Sequence, residues 1–318
     1  MISVPAVLVG GGPLISSARS YGATASPLIT NHNSLKSPII TEGKTLLVSI
    51  NLPFHTDSIA GALPVEITPA SAKDVPLVEP QPLYFYSNGD GRTFQTILSA
   101  PLDAINAEAV ALKLKVVRGQ SRTEAFSFEY RIQKGVYRSS ALALSQSFSS
   151  PSPEIAERKR RDFETMVEVY RRRTARRWQN PFILPVSFAH RDNFGDRRVV
   201  NGTKRYRHAG LDFNAPLGTP VRAINDGVVA LSTEQWTPGQ TICLDHGGGV
   251  FSKYMHLSKR YVREGDRVSR GDVIALSGQS GGQRPGPHLH LDTVVNGSHV
   301  DPIAFMRTAS QMILTDGR

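Results

Sequence analysis

At 318 residues the chain exceeds what one hydrophobic core ordinarily fills, so two domains are expected. Its 40% hydrophobic and 20% charged residues are those of a folded protein, which argues against a disordered chain, and no apolar run approaches the ~20 residues that span a bilayer. A formal net charge of +10 favours anionic partners, and a single cysteine, Cys243, leaves no internal disulfide to staple the fold.

Residues 1–37 read as a leader. Val4 to Ile15 is apolar but short, Pro5, Pro13 and three glycines interrupt it, and Ala23-Thr24-Ala25 has the small-residue pattern of a signal cleavage site. No Lys or Arg precedes Arg19, so the segment fits the remnant of an export signal without its charged start. From 38 to 137 short alternating runs are split by turn residues. Leu46 to Ile50, Leu83 to Tyr86, Thr93 to Leu98, Ala111 to Val116 and Ala125 to Ile132 each bury one face if extended. Strands about ten residues apart predict a small sandwich, and the region resembles an immunoglobulin-like module. It holds no cluster of catalytic side chains, so spacing or docking is its expected role.

The period changes over 138–180, a linker and connecting helix. Phe163, Met166, Val167 and Tyr170 recur at helical spacing, predicting a helix from Ser152 to about Trp178 that Asn180-Pro181 ends. Ser152-Pro153 is a good start, with Glu154 and Glu157 where negative charge suits the helix dipole. The apolar stripe is a packing face. Much of the positive charge sits here, in Arg158 to Arg161, Arg171 to Arg173 and Arg176-Arg177. The bland reading is a solvated helix face. No RNA-binding aromatic signature or zinc-finger spacing accompanies it, so nucleic acid is not an expected partner.

Residues 181–318 return to short strands with Gly and Pro punctuation. Thr219 to Leu231, Gly239 to His246, Val250 to His256, Val268 to Ser277 and His288 to Val295 read as strands, and Asn296-Gly297 signals a hairpin after the last. Cys243 lies in an apolar stretch and reads as a small core residue.

Chemistry-bearing residues concentrate in this region. His288-Leu289-His290 on a strand would project both imidazoles from one face. In His208-Ala209-Gly210-Leu211-Asp212-Phe213 the apolar neighbours alternate with Asp212, and Gly210 permits a turn returning His208 toward that carboxylate. Two imidazoles and a carboxylate are zinc-ligand types, and three protein ligands with an open position make a catalytic rather than a structural site. His256 ends another strand-like run. His246, beside three glycines, reads as a turn residue. His32, His55, His190 and His299 read as structural or surface residues, and Asn193 and Arg197 as candidates for a groove or its rim.

At these residues the chain resembles the lysostaphin/LytM-type zinc peptidases, from about Phe182 to Phe305. The likeness runs in order through His208-x-Gly210-x-Asp212-Phe213, Pro216-x-Gly218-Thr219-Pro220-Val221, Asp226-Gly227-x-Val229 and His246-Gly247-x-Gly249. It continues through Tyr254-x-His256-Leu257, Gly271-Asp272, Gly286-Pro287-His288-Leu289-His290 and Val300-Asp301-Pro302. Asp292 stands where the family often has Glu. The resemblance implies a mainly β protein whose C-terminal antiparallel β domain carries a groove with one zinc ion at its floor. By matched position His208, Asp212 and His290 are the zinc ligands, and His256 and His288 serve in catalysis. It further implies a peptidoglycan endopeptidase of the periplasm or cell envelope, cutting cross-link or stem peptides. The basic helix would hold it near anionic wall polymer or membrane.

Three rivals are weaker. A lipoyl- or biotinyl-type carrier shares the Val262 to Ile274 pattern but needs a hairpin lysine, and none lies between Arg260 and Ser298. A glucose-type phosphocarrier has no need of His208 and Asp212. A non-catalytic relative that activates another hydrolase would be expected to have lost ligands, whereas all five residues are present.

Overall fold

The computed structural model describes residues 28–31, 39–51, 65–69, 86–87, 92–102, 110–118, 122–281 and 286–316. The chain is mainly β and divides into two compact units, one reaching to Gly135 and taking in the chain from Arg307, the other spanning Val136–Met306.

The N-terminal unit contains β1 (Leu28–Asn31), β2 (Ile39–Thr41), β3 (Thr45–Asn51), β4 (Val65–Pro69), β5 (Tyr86–Ser87), β6 (Thr93–Ser99), β7 (Val110–Arg118) and β8 (Arg122–Gln133). They form two four-stranded sheets, ordered β1-β3-β6-β5 and β2-β8-β7-β4. The central β3–β6 pair sets Leu46 opposite Leu98 and Leu47 opposite Ile97, all buried. Of the Leu83 to Tyr86 run only Tyr86 is among the described residues, and residues 1–27, with His32 and His55, lie outside them.

The second unit opens with β9 (Ser139–Leu142), α1 (Gln146–Ser149) and α2 (Pro153–Arg171), followed by β10 (Arg197–Val200) and β11 (Lys204–Arg207). There follow β12 (Gly210–Phe213), β13 (Pro220–Arg222), β14 (Gly227–Gln235), β15 (Gly239–Gly247), β16 (Val250–Arg260), β17 (Arg267–Val268), β18 (Val273–Ser277), β19 (Leu289–Val295) and β20 (Ser298–Val300). A last helix, α3, covers Pro302–Asp316. The main sheet runs β12-β19-β16-β15-β14-β17 with antiparallel neighbours, and β13, β18 and β20 pair off that path.

Several expected elements differ. The Thr219 to Leu231 run splits into β13 and β14 because Asn225 turns the chain, its side chain accepting from the Asp226 amide at 2.9 Å. Val268 to Ser277 splits likewise at Gly271, whose φ of +92° L side chains rarely adopt. β19 begins at Leu289, with His288 just before it in an isolated bridge to Gly278. His246 is a fully buried residue of β15, not a turn residue; its ring nitrogens lie 2.7 Å from the Asp226 carbonyl and 2.7 Å from Ser252 Oγ.

Helix α2 starts as expected, Ser152 Oγ accepting from the Ile155 amide, but stops at Arg171, well before Asn180-Pro181. Beyond it the chain is extended along β15. The Gly248 amide donates to the Thr174 carbonyl at 2.8 Å and the Arg177 amide to the His246 carbonyl at 2.9 Å. The helix buries Met166 and Val169 against Ala230, Leu231, Cys243, Phe251 and Val294, while Phe163, expected in the stripe, is exposed. Cys243 is core, as read, and burial pushes its thiol up to about 12.

Candidate metal centre

Strand pairing brings the key side chains together. β12 and β19 are antiparallel with Asp212 directly opposite His290, so the two project from the same face about 4.5–5.5 Å apart at Cβ. Leu211, Phe213, Leu289 and Leu291 are fully buried on the other face, which locks the register. His208 precedes β12; its amide donates to the Asp196 carbonyl at 2.9 Å, and its carbonyl accepts from the Gly195 amide at 2.7 Å.

Three ligand atoms form a small triangle. His208 Nε2 lies 3.1 Å from Asp212 Oδ1 and 3.0 Å from His290 Nδ1, and His290 Nδ1 lies 2.8 Å from Asp212 Oδ1. Tetrahedral zinc with bonds of ~2.0–2.1 Å separates its ligands by roughly 3.3 Å, so the triangle fits an ion after shifts of a few tenths of an ångström. Among the described residues this is the one group of three that could hold a metal.

Each of the three side chains is held from behind. His208 Nδ1–H donates to the Asn193 carbonyl at 2.9 Å, which directs Nε2 at the centre. His290 Nε2–H donates to Asp292 Oδ1 at 2.7 Å, directing Nδ1 inward. Asp212 Oδ2 accepts from Asn193 Nδ2 at 2.8 Å and lies 3.5 Å from Arg198 Nη2, leaving Oδ1 facing the two imidazoles. Gly210 makes room for this shell: a Cβ there would stand 2.5 Å from both His290 Nε2 and Asp292 Oδ1. Its φ is not positive, so the residue is needed for close approach within a strand and not, as expected, for a turn.

The electrostatics follow from burial and these partners. Burial alone would push Asp212 up, yet hydrogen bonds from His208 and His290 hold it far below the usual carboxylate range. Burial and the neighbouring His290 push His208 down to about 4. Burial would also lower His290, but Asp292 and Asp212 override it and raise the imidazole to about 9.

The other two histidines lie beside this triangle. The rings of His256 and His288 are 4.7 Å apart, and His256 is 6.3 Å from His290. His256 Nδ1–H donates to the Ser280 carbonyl at 2.9 Å and His288 Nδ1–H to the Gly286 carbonyl at 3.2 Å, so each presents Nε2 as its basic nitrogen. Burial, then His288 and His290, push His256 down to about 3.

Of the groove candidates, Asn193 is buried and hydrogen-bonds both His208 and Asp212. Arg197 is exposed, whereas Arg198, which sequence reasoning passed over, is buried against Asp212. Asn201-Gly202, with φ of 49° and 73°, signals the hairpin that joins β10 and β11, on which Arg197 turns out and Arg198 in.

Residues 206–302 match the model of peptidase family M23. Peptidoglycan DD-endopeptidase ShyA of Vibrio cholerae is 43% identical over 110 residues, 34% of this chain and 25% of that protein. Glycyl-glycine endopeptidase ALE-1 of Staphylococcus capitis is 40% identical over 116 residues, 35% of this chain and 31% of that protein. The chain thus spans about a quarter to a third of these relatives' length. A crystal structure of a protein assigned to peptidase M23 from Pseudomonas aeruginosa superposes with a TM-score of 0.60, covering 86% of this chain and 96% of that one. At 24% identity that likeness establishes a shared fold.

Proposed function

On the match of residues 206–302 to the model of peptidase family M23, we propose that the chain is a zinc-dependent metalloendopeptidase hydrolysing peptide bonds in the cross-links or stems of bacterial peptidoglycan. The observation that carries the reading is the triangle of His208 Nε2, Asp212 Oδ1 and His290 Nδ1 at 2.8–3.1 Å, its three side chains held by hydrogen bonds to Asn193 and Asp292. The names of its relatives, a DD-endopeptidase and a glycyl-glycine endopeptidase, supply the substrate class.

In this reading His208, Asp212 and His290 hold the ion, which would supply Lewis acidity to polarise a scissile carbonyl and acidify water. His256 and His288 are the proton-handling pair. His256, neutral at pH 7, takes a proton only transiently and gives it up readily to a leaving amine. Its Ser280 partner keeps Nε2 as the accepting atom, and His288 stands at its side to share the proton or orient the carbonyl oxygen. Arg198 and Asn193 restrain Asp212 from rotating out of place.

We assign the remaining parts on the same footing. Residues 1–37 are a leader, 38–137 an immunoglobulin-like sandwich for spacing or docking, 138–180 a linker with its helix, and 181–318 the catalytic domain. The site of action is extracytoplasmic, where the substrate is, and the basic face of α2 holds the protein near anionic wall polymer or membrane. Digestion of purified peptidoglycan with and without a chelator, followed by mass analysis of the fragments, tests the reading. Cleaved cross-links that vanish with chelator and return with zinc support it; intact peptides under both conditions refute it.

A further inference from the structure

Helix α2 lies outside the family-matched residues, yet it touches the segment that fixes His256. The tip of the β14–β15 hairpin, from Gln235 to Gly239, sits against it. Asp162 Oδ2 accepts from the Trp236 amide at 2.7 Å, the Asp162 carbonyl accepts from Gln235 Nε2 at 3.2 Å, and Lys159 Nζ stands 4.2 Å from the centre of the Trp236 ring. These contacts combine a charge-assisted hydrogen bond with a cation–π contact on one short turn.

The tip in turn holds His256. The Pro238 carbonyl accepts from the His256 amide at 2.9 Å. His256 has φ of 60°, a left-handed conformation that costs a non-glycine residue free energy and persists where its surroundings over-determine it. Ser280 provides the second hold. Its carbonyl accepts from His256 Nδ1–H at 2.9 Å, while its hydroxyl accepts from the Gln240 amide at 2.8 Å and donates to the Leu257 carbonyl at 2.7 Å. The hairpin and the Ser280 segment meet at Gly239 and Gly281, where a Cβ on either would overlap the other backbone.

We propose that α2 is a positioning element of the catalytic unit, with Asp162 as the positioning residue that anchors the Trp236–Gly239 tip and thereby sets the backbone and ring orientation of His256. The inference rests on the reading of His256 as a proton-handling residue. It makes the helix part of the enzyme's working machinery and not merely a connector. The continuous path is Asp162 to Trp236, Pro238 to the His256 amide, and Ser280 to the His256 ring. Displacing a reacting group by ~1 Å can cost on the order of 100-fold in rate. Loss of one anchor several bonds away should cost less.

The test uses the full chain, loaded with zinc, acting on a soluble cross-linked muropeptide dimer. Asp162→Ala should lower kcat about tenfold while KM and zinc stoichiometry stay within about twofold of wild type. Asp162→Asn keeps an accepting oxygen and should recover to within about twofold of wild type. A second readout, independent of turnover, is the His256 Nδ1–H resonance in protein labelled with ¹⁵N-histidine. It should be protected by the Ser280 carbonyl in wild type and broadened or lost in Asp162→Ala. Wild-type kcat and an unchanged resonance in Asp162→Ala overturn the proposal, as does loss of bound zinc in step with kcat, which would mark a merely structural role. If the wild-type protein hydrolyses no dimer, the peptidase reading fails, and the resonance still decides whether α2 positions the ring.

Discussion

Replacing Gly210 with alanine removes none of His208, Asp212 and His290 but crowds the side of His290 that meets Asp292. The new Cβ would lie 2.5 Å from His290 Nε2 and 2.5 Å from Asp292 Oδ1, and closer still to the Leu291 carbonyl. Reaching tolerable contact requires β12 and β19 to part, or the His290–Asp292 pair to shift, by at least ~0.5 Å. Where Asp292 gives way relative to His290, their hydrogen bond lengthens from 2.7 Å to ~3.2 Å, the long end of the normal range. Overpacking a buried strand pair typically costs ~1–3 kcal/mol of stability. Loss of the hydrogen-bond partner of a metal-binding histidine typically costs ~10–100-fold in metal affinity. Competition for zinc against a chromophoric chelator measures the second effect, and urea unfolding of the metal-free protein measures the first. A Gly210→Ala protein that binds zinc within twofold of wild type would refute the reasoning that this glycine exists to seat the His290–Asp292 bond.

Other expectations follow from the same geometry. Asp292→Asn keeps an acceptor for His290 Nε2–H and should retain most zinc affinity, whereas Asp292→Ala should lose ~10–100-fold by the same competition assay. Because Asp292 and Asp212 raise His290 to about 9 against the effect of burial, zinc must displace a proton at neutral pH; apparent affinity should climb about tenfold per pH unit up to about 9, then flatten. His246 is pushed down to about 4 by burial, so the unfolded chain binds its proton between the unperturbed value near 6.5 and that figure. Stability is therefore lost as pH falls through this window, by about 2 kcal/mol from this group between pH 7 and 5, and urea midpoints of the metal-free protein at the two pH values check it. His288→Ala should keep its zinc and lose turnover on cross-linked muropeptides by ~10²–10⁴-fold; wild-type hydrolysis in that variant would remove His288 from the proton-handling pair.

That Asp212 and His290 share one face was readable because it depends on alternation. In Leu211-Asp212-Phe213 and Leu289-His290-Leu291 the apolar residues must enter the core, which leaves the polar residue between them no choice of face. The hairpin at Asn296-Gly297 was readable for a similar local reason: both residues adopt positive φ, of 50° and 81°, closing β19 onto β20. The residues that hold these side chains were harder to see because tertiary approach brings them together. Arg198 meets Asp212 only after β10 and β11 fold over the site, and nothing in the alternation of Arg197 and Arg198 says which of the two turns inward. The stop of α2 at Arg171 is likewise a tertiary outcome. Residues 174 to 177 continue with good helical composition, but their backbone groups bond to His246 and Gly248 instead. The glycines beside His246 suggested a turn, but their positive φ values belong to the last residue of its strand, Gly247, and to the turn after it.

Native mass spectrometry at equimolar zinc, on the wild-type chain and on Asp212→Ala, examines the metal cage with the fewest intermediate assumptions. The arrangement of His208, Asp212 and His290 predicts one ion per wild-type chain and none on the variant. A wild-type chain that flies without metal, or a variant that keeps its ion, would contradict it.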